Sequence, residues 1–182
     1  MTPAQAETDD ALMALAIEEA RCGVGLTSPN PPVGAVISVG DRVIGRGHHR
    51  KAGGPHAEIE ALADARKSAP DEIRGSTIYV TLEPCSTHGR TPPCSQAIID
   101  AGITRVVYGA PDPNPGHRGR ADSLLQASNI TVTTGVRESE CLDLIRPFSK
   151  WITTGLPWVI VKIGQSLDGR ITRPAGESQW IT

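Results

Sequence analysis

With 182 residues the chain has room for one full α/β domain and the beginning of another, since domains commonly run ~100–150 residues. A formal net charge of −2, with no charge run or low-complexity tract, argues against nucleic acid as the main partner and leaves room only for a local basic pocket. No apolar stretch approaches the ~18 residues that span a bilayer, and no Lys or Arg precedes Arg21, so neither membrane insertion nor secretion is expected and the cytoplasm is the expected setting.

Asp9 or Asp10 can cap a first helix that carries Met13, Ala16, Ile17 and Ala20 on one face and ends at Gly23 or Gly25. Ser28-Pro29-Asn30-Pro31-Pro32 cannot continue it, because proline removes a donor and pushes the preceding residue to extended geometry. Val33 to Val39 and Arg42 to Gly47 read as a hairpin about Gly40-Asp41. A loop rich in Gly, His and basic residues then leads to a second helix from about His56, with Ile59, Leu62 and Ala63 predicted to face inward.

Ser76 to Leu82 is a β-branched run, hence a strand, and it delivers Glu83-Pro84-Cys85 at its C-terminal end. After Pro92-Pro93 comes a helix with Cys94, Ala97, Ile98 and Ala101 on its inner face, then strands at Arg105 to Tyr108 and Ile130 to Thr134 flanking a helix near Asp122 to Ala127. This alternation predicts an α/β fold with a mixed sheet between helices, a three-layer α/β/α arrangement. Glu138 to Ile152 is predicted helical with a break at Pro147, and Trp158 to Ile163 as a buried strand. Only Tyr79 and Tyr108 precede the aromatic group Phe148, Trp151, Trp158 and Trp180, so a different structural unit is expected to start near Leu156-Pro157.

The chemistry lies in His56-Ala57-Glu58, Pro84-Cys85 and Pro93-Cys94. Of the four cysteines, Cys22 and Cys141 read as small apolar residues, while Cys85 and Cys94 with His56 form a ligand set for Zn²⁺. A structural zinc site closes its tetrahedron with a fourth Cys or His; none occurs at ordinary knuckle spacing here, so one position is left for water. Zn²⁺ held by two thiolates and a neutral imidazole lowers the pKa of bound water to ~7. Glu58, two residues after the histidine, is then the expected proton shuttle, and His56 and Cys94 both open predicted helices, where thiolate is favoured. The plainer readings are a zinc-stabilised interaction module without turnover, or unconnected core cysteines.

The His-Ala-Glu and Pro-Cys elements resemble the cytidine-deaminase superfamily, although eight residues separate Cys85 from Cys94 where two are usual. That long spacing, with Gly89-Arg90-Thr91-Pro92-Pro93-Cys94, Asn30-Pro31-Pro32-Val33-Gly34 and Asp112-Pro113-Asn114-Pro115, is similar to the riboflavin-biosynthesis deaminases. The resemblance implies a cytidine-deaminase-like fold and hydrolytic deamination of 2,5-diamino-6-ribosylamino-4(3H)-pyrimidinone 5′-phosphate, giving 5-amino-6-(5-phosphoribosylamino)uracil and ammonia. It implies Zn²⁺ on His56, Cys85 and Cys94, proton transfer by Glu58, a pyrimidine contact from Asn30, and ribose and phosphate contacts from His49, Arg90, Asp112 and Asn114. Many relatives carry a histidine two residues after the first cysteine; here that position is Thr87, with His88 one place on. His48 and His117 are expected at the surface.

Residues 1–150 are thus expected to form the zinc-dependent deaminase domain. Residues 151–182 resemble a linker and the start of an NADPH-dependent reductase domain, with Gly164, Ser178 and Trp180 at positions that touch cofactor or substrate. A nucleotide fold cannot be completed from so short a stretch, so no reductase activity and no NADPH use are expected of this chain alone. Apolar sequence around Trp158 and Val159 would need to pack on the deaminase body or on a second copy, which favours a homodimer. Within the same chemistry the alternative substrates are nucleosides, deoxynucleotides or tRNA adenosine; the last calls for a basic surface and stacking aromatics.

Overall fold

The structure, a computed structural model, describes residues 2–87 and 92–171. Arg90, Ser178 and Trp180 lie outside the described residues.

The first helix, α1 (Pro3–Arg21), starts earlier than the aspartates suggest. Thr2 caps it by accepting from the Gln5 N–H at 3.2 Å, and Pro3 occupies the first turn, where no amide hydrogen is required. Asp9 is instead 1% exposed against the sheet. It accepts from the Tyr79 hydroxyl at 2.9 Å and from both terminal nitrogens of Arg105 at 2.7 and 2.6 Å. Burial alone would raise this carboxyl's pKa; the hydrogen bonds from Arg105, Gln5 and Tyr79 outweigh it and hold the group below its ordinary value. The apolar face of Met13, Ala16, Ile17 and Ala20 is buried as its spacing predicts.

Five strands form one mixed sheet: β1 (Gly34–Val39), β2 (Arg42–His48), β3 (Thr77–Leu82), β4 (Arg105–Ala110) and β5 (Thr131–Thr134). Their order is β2-β1-β3-β4-β5, antiparallel from β2 through β3 and parallel from β3 through β5. Helices α1 and α5 (Glu138–Leu144) cover one face, where Leu12, Met13 and Ile17 pack with Val36, Tyr79, Val107, Cys141 and Ile145. Helices α2 (Ala57–Ser68), α3 (Cys94–Asp100) and α4 (Arg120–Ala127) cover the other, around Ile37, Ile78, Val80, Leu62, Ile98 and Leu125. The expected three-layer α/β/α architecture is the one observed.

The inward face of α2 differs from the pattern of its larger apolar residues. Ala57, Glu58, Ala61, Leu62 and Ala65 are buried, whereas Ile59 and Ala63 are half-buried. The reason lies in β2, where Gly45 and Gly47 leave room for the helix backbone itself. A Cβ at Gly47 would sit 2.4 Å from the Ala61 nitrogen, and one at Gly45 2.5 Å from the Ala61 carbonyl oxygen. Close approach of glycine strand to alanine helix therefore sets the rotation of α2, and with it the direction of Glu58.

After α5 the chain breaks at Ile145, not at Pro147, which lies in the first turn of α6 (Arg146–Thr154) where proline is tolerated. The strand expected at Trp158 to Ile163 does not form. Those residues are unpaired, with Val159, Ile160 and Val161 at 71, 80 and 73% exposure. An apolar run becomes a strand only where a neighbouring strand accepts its amides, and no described strand lies beside this one. Cys141 is buried as expected, whereas Cys22 is exposed. Among the described residues no helix is long and apolar enough to cross a membrane.

Candidate active site

The mixed topology gathers four chain segments at one end of the sheet. Because β1 runs antiparallel to both neighbours, its entry lies beside the exits of β2 and β3, and β4, parallel to β3, exits at the same end. Gly34 pairs with His48 and Leu82 with Ala110, so Asn30 to Val33, His49, Glu83 to Cys85 and Asp112 to Asn114 all emerge there. Crevices at the carboxyl ends of parallel strands are the usual ligand sites of such sheets. Here a cavity of about 290 Å³ opens, a size suited to a small ligand.

At its floor the three predicted ligands converge. The Nδ1 of His56 lies 3.2 Å from the Cys94 Sγ and 3.6 Å from the Cys85 Sγ, and all three ligand atoms fall within 4.8 Å of one another. His56 sits at the N-cap of α2 and Cys94 opens α3, whose first amide donates to the Cys85 sulfur at 3.2 Å. The chemistry of this donor set fits a soft divalent cation. Hydrogen bonding from Cys94 and His56 pulls the Cys85 thiol down to about 4, despite burial; bonding to Cys85 lifts the His56 imidazole to about 9, and the same contact with burial pushes Cys94 up. Three groups contending for shared protons in a mostly dry corner are what one Zn²⁺ replaces, with both sulfurs as thiolates and the imidazole neutral. No fourth His, Cys, Asp or Glu joins the cluster among the described residues.

Glu58, the second residue of α2, is 3% exposed beside these ligands. Burial first, and then the negative charge of Cys85, push its carboxyl up to about 7, where it can both take and give a proton near neutrality.

The remaining predicted residues divide into two walls. On one, Asn30 donates from Nδ2 to His49 Nε2 at 3.0 Å, and His49 Nδ1 donates to the Pro55 carbonyl at 2.8 Å. A carbonyl can only accept, so the ring hydrogen sits on Nδ1 and Nε2 is left to receive the amide. His49 is 3% exposed and stacks edge to face with His56 at 5.5 Å between centroids. On the other wall Asp112 Oδ1 accepts from the Asn114 N–H at 2.8 Å, a local turn that turns both residues toward the cavity. Gly164 lies in the exposed C-terminal stretch and is not part of the cavity.

Four contributors were not evident in the sequence. Glu83, 4% exposed, accepts from the backbone N–H groups of Asp112 at 3.1 Å, Gly119 at 2.8 Å and Ala121 at 3.4 Å, and so ties the end of β3 to the loop of the second wall. His117, expected at the surface, is half-buried and lines the cavity. Phe148 and Ile152 from α6 close the apolar side. Glu83 directly precedes Pro84-Cys85, and that adjacency was its one local signal; His117 carried none, since its partner Thr87 is distant in sequence.

Residues 6–110 match the family model described as the cytidine and deoxycytidylate deaminase zinc-binding region. The chain belongs to this family. It is 48% identical over 174 residues to the riboflavin biosynthesis protein RibD of Escherichia coli, covering 96% of this chain and 46% of that relative. A solved structure, the diaminohydroxyphosphoribosylaminopyrimidine deaminase/5-amino-6-(5-phosphoribosylamino)uracil reductase of Thermotoga maritima, superposes with a TM-score of 0.90 at 43% identity, over 98% of this chain and 50% of that one. RibD of Acinetobacter baumannii superposes with a TM-score of 0.88 at 45% identity, over 97% of this chain and 49% of the other. The chain thus spans about half the length of the relatives it matches.

Proposed function

We propose that this chain catalyses the hydrolytic deamination of 2,5-diamino-6-ribosylamino-4(3H)-pyrimidinone 5′-phosphate to 5-amino-6-(5-phosphoribosylamino)uracil in riboflavin biosynthesis. The observation that carries the reading is the convergence of His56, Cys85 and Cys94 beside the buried carboxyl of Glu58. The activity named for the Thermotoga maritima protein and the RibD relatives support the choice of substrate.

In this reading His56, Cys85 and Cys94 hold zinc. Bound there, the ion supplies Lewis acidity that makes water a nucleophile near neutral pH. Glu58 would take one proton from that water and give it to a ring nitrogen, then take the second from the hydroxyl group so formed on the ring carbon and deliver it to the departing amine. A carbon–oxygen bond forms, the carbon–nitrogen bond breaks, and the amine leaves as ammonia. A carboxyl poised near neutrality suits both transfers, since each needs a different protonation state. Asn30 hydrogen-bonds the pyrimidine edge; His49, expected from the resemblance to meet the ribose or phosphate, is buried with both ring nitrogens engaged by Asn30 and the Pro55 carbonyl, and so acts by holding that amide in place. Asp112 and Asn114 meet the ribosyl arm, and Arg90 is assigned to the phosphate on sequence resemblance.

The same proposal assigns residues 1–150 to the deaminase domain and residues 151–182 to a linker and the first segment of a reductase domain, with Gly164, Ser178 and Trp180 belonging to that second unit. Zinc is the cofactor of the deaminase; NADPH would serve only a completed reductase. A cytoplasmic setting suits a site that depends on reduced thiols. A homodimer would cover the exposed run at Val159 to Val161. Ammonia release from the diaminopyrimidine phosphate and from cytidine, measured side by side, tests the substrate. Release from the phosphate alone is expected, and release from cytidine alone refutes the assignment.

A further inference from the structure

The wall that carries Asp112 and Asn114 also contains an imidazole that the motif does not supply. Thr87 lies two residues beyond Cys85, and its hydroxyl is 3.1 Å from Nδ1 of His117, which belongs to the loop between β4 and α4. The loop is held from behind as well. The His117 N–H donates to the Asn114 carbonyl at 2.9 Å, and Glu83 anchors the same loop through the amides of Asp112 and Gly119. The threonine hydroxyl holds Nδ1, and Nε2, the other ring nitrogen, has no hydrogen-bond partner among the described residues.

What this nitrogen could meet follows from the charges around it. The described lining carries the carboxyl groups of Glu58, Glu83 and Asp112, and no Lys or Arg. Ionised carboxylates repel an anionic substrate arm, so an N–H donor on this wall would add to the side-chain amides of Asn30 and Asn114 and to the assigned Arg90 in holding it. Thr87 follows the ligand Cys85 by two residues, at most about 7 Å of extended chain, and His117 lines the same cavity as His56, Glu58 and Cys85.

Resting on the reading that the substrate is a phosphorylated pyrimidine, we propose that His117 contacts that substrate, its Nε2–H donating to an oxygen of the ribosyl phosphate, with Thr87 as the positioning residue that orients the ring. The pair brings an imidazole from the β4–α4 loop to the turn where the motif itself carries a threonine.

The test uses the zinc-loaded chain with its histidines isotopically labelled. There are five, and His117 is identified by the resonance missing from His117→Gln. Ribose 5-phosphate should shift the His117 ring resonance saturably, and ribose should not. In His117→Gln, ribose 5-phosphate binding should weaken about tenfold, and KM for the diaminopyrimidine phosphate should rise about tenfold with kcat within about twofold, the scale of one charge-assisted hydrogen bond. Thr87→Val should move KM the same way by about threefold and Thr87→Ser should restore it, with zinc content unchanged throughout. Unaltered KM and unaltered ribose 5-phosphate binding in His117→Gln overturn the assignment while leaving the deaminase reading intact. A wild-type chain that releases no ammonia from the diaminopyrimidine phosphate removes that reading, and this assignment with it.

Discussion

The metal corner and the stretch after Gly155 are opposite outcomes of apolar sequence and local motif. At the corner, His56 comes from a different part of the chain than Cys85 and Cys94, yet each is fixed by a helix start or a strand end that the sheet brings together. After Gly155, the run from Trp158 to Ile163 is as strand-like in composition as β3, yet it is exposed and unpaired. Composition proposes an element; only a partner that satisfies its backbone and covers its face makes it one. Substitutions should therefore have large effects at the corner and small ones in the tail.

The largest effect is expected from Cys85→Ser. Loss of one thiolate should remove the metal and unfold much of the protein, read as zinc content and circular dichroism on one sample; a folded, zinc-loaded variant would contradict the ligand assignment. Next comes Glu58→Gln, which should keep zinc and fold while lowering kcat for the proposed reaction by ~10²–10⁴-fold. Full activity in that variant would remove the proton shuttle.

Asp9→Asn should cost ~3 kcal/mol at neutral pH, because it leaves Arg105 against a neutral partner in a buried pair. The folded-state pKa of Asp9 lies below the ordinary 3.8 of an aspartate, so the pair stabilises fully above that value and its contribution fades as pH falls through the lower folded pKa. Urea titrations should show a constant gap between wild type and variant from pH 5 to 8, closing in more acidic solution. Glu83→Gln should unpin the loop of Asp112 and Asn114 and raise KM severalfold with zinc retained, as measured by initial rates. Smallest of all, Ile160→Lys in the exposed tail should change stability by no more than ~0.5 kcal/mol at concentrations low enough to keep the chain monomeric. A large loss there would mean the tail packs, and the contrast with the corner would dissolve.

What was legible in the sequence follows the same division. The metal ligands and Glu58 were readable because their chemistry needs those residue types at short, fixed spacings. The sheet was readable because β-branched runs and turn residues alternate along the chain. Asp9 was misread as a cap because its partners Tyr79 and Arg105 are distant in sequence, and α2 was rotated from expectation because glycines on β2, not the bulk of Ile59, set its face. Thr87 and His117 meet only after β4 and its loop are in place.

The central claim is that one imidazole and two thiolates hold a zinc ion with a position left for solvent. X-ray absorption at the zinc edge of the purified protein measures this directly. Two sulfurs at about 2.3 Å, one imidazole nitrogen at about 2.0 Å and one exchangeable oxygen are predicted. A third sulfur, a second imidazole or a carboxylate from the chain in the fourth position would contradict the account.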